Sequence, residues 1–408
     1  MSVELTPFRW PGVWKDPSAL TILKQTPINC LVVDKGGAPD SVLTQAKQSG
    51  LTIVDSATPA AGILIGPGEW PGIQAPQRGA DASAGPTGNA WIESNGWKVR
   101  LERMRRPQSA MWIDARPKRA SIPADSYVLA FADSAVYGGR WIITLDDQPA
   151  AGLPQGNAQA AAAWKRMTDA SRFFTGHAAW ADMLPRAVVG IVSDFAGENE
   201  FMGQELLNLT ARTNQQYRII LKDKLSPSSF NGLKALLYAD VTPPGAVLKS
   251  RILAFVQAGG LLITGPKWGI APGMRASKQD NDGYVWRTSG KGRIAFAKAE
   301  FDDPWTLAQE AVLLVSHRND LLRFWNAGSV SAYYTAAPDG KRAVVHMLYY
   351  ANRGPVSSLV RVVGAWRSAK LWNLDQSDPR PLEVSPQDGA VELQLPAISQ
   401  YAALELEG

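Results

Sequence analysis

The chain has 408 residues, 45% hydrophobic and 19% charged, which is a globular composition too long for one ordinary core, so two or three units are expected. Its formal charge of +5 is spread along the chain, with no basic stripe interleaved with aromatics, and this argues against a nucleic-acid partner. No apolar run approaches the roughly 20 residues that span a bilayer, so no membrane partner is expected.

Metal and redox chemistry find little support. Cys30 is the single cysteine and lies inside an apolar run, while His177, His317 and His346 are far apart, so neither a metal nor another cofactor is expected. The start, MSVELTPFRW, lacks a basic stretch followed by an apolar one. Location stays open between the cytoplasm and export from a precursor with a signal peptide.

Short apolar runs closed by an acid dominate the first part of the chain. Cys30 to Val33 ends at Asp34, Leu51 to Val54 at Asp55, Trp91-Ile92 at Glu93, Met111 to Ile113 at Asp114, Val128 to Ala132 at Asp133, and Trp141 to Leu145 at Asp146-Asp147. Such runs, separated by helix-length segments, predict parallel strands whose carboxyl ends converge on one face. Counting Phe8 to Trp10 and Gly62 to Gly66 gives eight strands, a small (β/α)8 TIM-like barrel over residues 1–183. Helices are predicted over Pro39 to Gly50, from Ser94 or Asn95 to Arg106, and over Asn157 to Gly176. Pro67 to Gly88 reads as a long loop, a lid or rim.

A second unit, 184–328, alternates strands at Ala187 to Ser193, Tyr217 to Leu221, Leu233 to Ala239 and Leu261 to Thr264 with helices at Asn199 to Thr213 and Pro244 to Gly259. That predicts a flavodoxin-like doubly wound α/β sheet, with Trp268 to Gly292 loop-rich and a long helix from Pro304 to Phe324. A third unit, 329–408, carries a Pro338-Asp339-Gly340 hairpin turn and closely spaced strands without helices, hence an antiparallel β-sandwich.

The order of the three units resembles the family 42 β-galactosidases and related clan A glycoside hydrolases. The local likeness is clearest at Val189 to Asp194, at Phe255 to Thr264 and at Tyr401 to Leu406. The resemblance implies a catalytic barrel, a middle unit like a class I glutamine amidotransferase that assembles a trimer or dimer, and a carbohydrate substrate. Amidotransferase chemistry itself would need a cysteine in the middle unit, and none is there. The family places an acid/base Glu after an Asn at the end of strand four and a nucleophilic Glu at the end of strand seven. Here no Asn-Glu pair occurs in the barrel, since Asn199-Glu200 belongs to the second unit. Without Phe8 to Trp10 as a strand, Glu93 and Asp146 hold those places; with it, Glu69 and Asp133 do.

Glycoside hydrolysis needs a protonated carboxyl and a second carboxylate. The candidates are Glu93 as acid/base, desolvated by Trp91 and Trp97, and Asp146 as nucleophile or base. Asp114, Asp133 and Asp147 would orient hydroxyls, Trp10 would stack on a sugar ring, and Arg9, Arg116 and Arg140 would hold acids ionised or bind an acidic sugar. The competing reading is a non-catalytic carbohydrate-binding or assembly protein that keeps this architecture.

Overall fold

In the computed structural model, residues 4–73, 92–117, 121–226, 228–281, 283–328, 330–351, 354–374 and 376–408 are described. The short N-terminal runs form parallel strands: β1 (Pro7–Arg9), β2 (Cys30–Val33), β3 (Thr52–Asp55) and β4 (Ile63–Pro67). A small antiparallel pair follows, β5 (Gly72–Ile73) with β6 (Ile92–Glu93), and then β7 (Ala110–Asp114) and β8 (Arg140–Trp141) return to the parallel set. Helices α1 (Asp40–Gln48), α2 (Gly96–Arg105), α3 (Ala124–Ala135), α4 (Asp147–Gly152) and α5 (Ala158–Gly176) surround them. Asn157 caps α5, its side chain accepting from the Ala160 N–H at 3.0 Å.

Hydrogen bonds between Arg9 N and Ile143 O and between Ile143 N and Pro7 O join β1 to the chain just after β8, so the strand order is β3-β2-β1-β8-β7-β4. Side chains alternate between two faces along each strand. Cys30, Val32, Val54, Trp112 and Ile142 pack together with Ile63 and Ile65, so β3 and β4, at opposite ends of that order, share one interior cluster. Leu31, Val33, Met111, Ile113 and Ile143 point outward onto the helices.

Six strands make this array among the described residues, where eight were expected. The run Tyr127 to Ala132 lies inside α3 and is buried on every side, so its apolar pattern is that of an enclosed helix, and its alanines favour that state. β6 pairs only with β5, outside the parallel set. Neither way of counting strands from the sequence therefore holds among the described residues: Pro7–Arg9 is a strand, but the parallel array has no seventh there.

After the short strand β9 (Leu184–Pro185), the middle of the chain holds β10 (Val189–Ser193), α6 (Glu200–Arg212), β11 (Tyr217–Leu221), β12 (Ala235–Tyr238), α7 (Ala246–Gln257), β13 (Leu261–Thr264), β14 (Arg275–Asn281), β15 (Tyr284–Ser289), β16 (Gly292–Ala297) and α8 (Pro304–Val315). The sheet order is β11-β10-β12-β13-β16-β15-β14, its pairings parallel except the last two, β16 with β15 and β15 with β14, which are antiparallel. Alternate residues feed two cores. Leu261 and Ile263 pack with Leu206 and Ala308 on the α6 and α8 side, and Leu262 packs with Ile252 and Val256 of α7 on the other. Burial on both faces explains the unbroken apolar runs. The stretch expected to be loop-rich instead supplies β14 to β16, and the helix expected to reach Phe324 stops at Val315, where Ser316 turns to φ +73°.

The C-terminal strands are β17 (Leu322–Trp325), β18 (Val330–Ala336), β19 (Arg342–Tyr349), β20 (Ser358–Val363), β21 (Ser368–Asn373), β22 (Arg380–Leu382), β23 (Ser385–Gln387), β24 (Ala390–Leu395) and β25 (Tyr401–Glu407). They form a four-stranded sheet, β17-β20-β24-β23, and a six-stranded one, β22-β21-β25-β19-β18-β9. The β18–β19 hairpin turns at Gly340, whose φ of +69° a side chain would disfavour. Ala343, Val345 and Met347 of β19 face the smaller sheet, while Val344 and Leu348 face the N-terminal core. The larger sheet is thus buried on both sides. On its outer face Phe173, Phe174 and Trp180 meet Tyr401, Trp372 and His346.

Candidate functional site

The carboxyl ends of the parallel strands carry a compact ion-pair cluster. Arg9 closes β1, and although only 3% of it is exposed, it pairs with Asp34, just past β2, and at 2.7 Å with Asp114 at the end of β7. Arg116 reaches the same acids from above, 2.9 Å from Asp34 and 3.7 Å from Asp114. Ser56 also donates to Asp34, at 2.7 Å. Burial pushes the Asp34 carboxyl up, but hydrogen bonds from Arg116 and Ser56 and the charges of Arg9 and Arg116 outweigh it and hold it at about 2. Two cations and two anions make the cluster neutral. Trp70 lies beside it, donating its indole N–H to Arg116 O at 3.0 Å and meeting Tyr127 and Trp141 edge-on.

Asp146 lies past the end of β8 and is 2% exposed. Its Oδ1 caps α4 by accepting from Gln148 N at 3.1 Å, and its Oδ2 accepts from Ile122 N and the Tyr127 hydroxyl, each at 3.1 Å. Burial raises its pKa, with these hydrogen bonds opposing and the neighbouring Asp147 adding to the rise. Asp147 is exposed. Both line a cleft of about 790 Å³ between the start of α3 and helices α4 and α5, with Gln148, Asn157 and Arg166 among its polar walls. Its size fits a small-molecule site.

The other candidates disperse. Glu93 lies on β6 next to Ser94, which donates to Asn208 of α6, and its charge is felt by Glu205 of α6. It therefore faces the middle of the chain, and nothing among the described residues joins it to Asp146. Asp133 does not end a strand: it sits on α3, fully buried, accepting from Asn95 N at 2.7 Å, Asn95 Nδ2 at 2.9 Å and the Tyr350 hydroxyl at 2.6 Å. Burial raises its carboxyl to about 6 against those hydrogen bonds. Asn95, expected to cap α2, instead accepts from Glu69 N.

Trp10 is a core residue, 5.2 Å from Trp14 and donating to Trp14 O. Trp97 packs against the core of the middle sheet. Arg140 begins β8, at the opposite end from the carboxylates, and pairs with Glu4, so it joins no site at the strand ends. Trp91 and most of the Pro67 to Gly88 loop lie outside the described residues. Asp34 is the member of the cluster that the sequence reading left out of its site, although its place after a β-branched run is the same signal that drew attention to Asp114. No group of three or more His, Cys, Asp or Glu side chains suited to a metal occurs among the described residues.

No family model and no curated protein matches this sequence. Solved structures do. The α-L-fucosidase isoenzyme 2 of Paenibacillus thiaminolyticus aligns with 95% of this chain and 78% of its own, at a TM-score of 0.55 and 10% identity. The GH42 β-galactosidase Gan42B of G. stearothermophilus aligns with 96% of this chain, at a TM-score of 0.50 and 12% identity, and this chain spans 65% of its length. In fold, this chain is a mixed α/β multidomain protein resembling these glycoside hydrolases.

Proposed function

We propose that this protein binds carbohydrate on a glycoside-hydrolase frame and does not cleave it by the two-carboxylate route. In this reading residues 1–183 form a reduced barrel, 184–328 a flavodoxin-like unit that serves contacts between subunits, and 329–408 a β-sandwich, to which β17 crosses from the preceding segment. The observation that carries the reading is the neutral Arg9, Arg116, Asp34, Asp114 cluster at the strand ends. Held at about 2, Asp34 has no proton to give a leaving oxygen near neutral pH. The half-exposed Arg116 and Asp34 offer donors and acceptors to sugar hydroxyls, and Trp70 offers an aromatic flank.

The test combines hydrolysis of an aryl glycoside panel, galactosides and glucuronides included, with calorimetric titration of soluble oligosaccharides. No turnover is expected, together with binding that Trp70→Ala and Arg116→Ala each weaken at least tenfold. One observation favours a second reading, in which Asp146 is a general acid: its carboxyl is raised by burial and lies beside the 790 Å³ cleft with Asp147. Turnover abolished by Asp146→Asn and untouched by Glu93→Gln would establish that reading in place of the first.

A further inference from the structure

We propose that the seam where the middle sheet unit meets β6 and β18 is a second binding site, shaped for a small amphipathic organic anion. A cavity of about 470 Å³ opens there. Its walls come from all three parts of the chain: Ile92 of β6, Arg212 at the end of α6, Trp305, Val312 and Leu313 of α8, and Val330 of β18. That volume is within the range of small-ligand sites, and the valine, leucine and isoleucine walls suit a hydrocarbon or aromatic body.

The polar end of the cavity is built from donors. The Arg212 guanidinium lies 4.8 Å over the Trp305 ring. Burial lowers its pKa, with Glu205 opposing, so the cation is partly stripped of water and its planar fork suits a carboxylate or sulfonate. Trp305 is 9% exposed, and its indole N–H has no hydrogen-bond partner. Ile92, Arg212 and Ser331 also line a small neighbouring recess whose wall includes Tyr217, a buried residue whose hydroxyl is likewise unpartnered. An indole N–H can only donate and a phenol readily does so, so the occupant they match presents acceptors. His317 on the rim is held by Asp320 at 2.8 Å, and the charge of Glu205 acts on Arg212, so the occupant competes with these two carboxylates for the cations. Neither the strand-end cluster nor the Asp146 cleft shares a residue with this seam, so the two proposals stand or fall separately.

The probe is 8-anilinonaphthalene-1-sulfonate, titrated into the full chain at neutral pH, with fluorescence for affinity and calorimetry for stoichiometry. One saturable site per chain is expected. Arg212→Gln should weaken it at least tenfold and Trp305→Phe, which keeps the ring and removes the N–H, several-fold. Leu313 is 70% exposed, so Leu313→Glu should fold normally while placing an anion at the rim, and it should also weaken binding tenfold. The uncharged analogue N-phenyl-1-naphthylamine should bind at least tenfold more weakly than the sulfonate. Absence of a saturable 1:1 site in the wild type overturns the proposal, as does an affinity that Leu313→Glu leaves unchanged; equal affinity for the two probes overturns the anion assignment.

Discussion

Asp133→Asn separates two opposed effects on one buried carboxyl. Desolvation raises its pKa, whereas three donors, Asn95 N, Asn95 Nδ2 and the Tyr350 hydroxyl, favour the charged form. The balance puts the folded pKa at about 6, above the ordinary aspartate value of about 4. The folded state therefore binds more protons than the unfolded state between these values. Stability from this group is fully present below about pH 4 and is lost as pH rises through about 6. Two decades at roughly 1.4 kcal/mol each make the loss about 3 kcal/mol. Asparagine keeps an acceptor for Asn95, turns its amide toward the Tyr350 oxygen and does not titrate. Urea unfolding at intervals from pH 4 to pH 8, followed by tryptophan fluorescence, should show the wild type losing about 3 kcal/mol relative to Asp133→Asn across that range. Parallel curves, or a wild type that gains relative stability with pH, would mean the hydrogen bonds win and refute the assignment.

His346 should give the opposite slope. Burial, with His177 nearby, pushes it down to about 3, so its contribution is present above about pH 6.5 and declines as pH falls toward 3. His346→Gln should remove that decline, worth about 3 kcal/mol by pH 4.5, in the same urea series. Trp112, 1% exposed inside the parallel array, should cost about 3–5 kcal/mol when changed to alanine, read as a shift in the urea midpoint. Arg9→Met should let the Asp34 carboxyl titrate well above 2 by carbon-13 NMR, and an unchanged titration would count against the ion-pair cluster.

Much of the fold was legible in the sequence because period and punctuation are local. The β18–β19 hairpin follows from Pro338-Asp339-Gly340, and the two-sided burial of the middle sheet follows from runs such as Leu261 to Thr264. The failure that mattered most for the site was one of period. Tyr127 to Ala132 is apolar on every side, and a run without alternation does not distinguish an enclosed helix from a buried strand. That error supplied one of the two surplus strands, β6 being the other, and placed Asp133 at a strand end. The site was legible only in part for a related reason: an acid after a β-branched run marks the carboxyl end of a strand, but not which arginine meets it. Arg9 and Arg116 were marked as partners for the acids and do meet Asp34 and Asp114, whereas Arg140 begins its strand and so lies at the other end.

The strand count also bears on where ligands are accommodated. The space inside a closed array of strands narrows with strand number, and eight strands already leave room only for side chains. Here Trp112, Cys30, Val32, Val54 and Ile142 from the six strands already pack into one cluster, with Arg9 and Arg116 joined to Asp34 and Asp114 at the strand ends. A ligand there must rest on the charged surface and not enter the array. The larger recesses lie elsewhere: beside α4 and α5, and at the seam of α6, α8 and β18. The cations of α2 join the N-terminal helices to the middle of the chain. Arg100 donates to Tyr217 O at 2.7 Å and stacks 3.8 Å from its ring, Arg103 donates to Ala181 O, and Arg105 donates to Phe195 O. The basic face of α2 is thus turned onto backbone carbonyls of the chain that follows it, where three guanidinium groups each meet an acceptor.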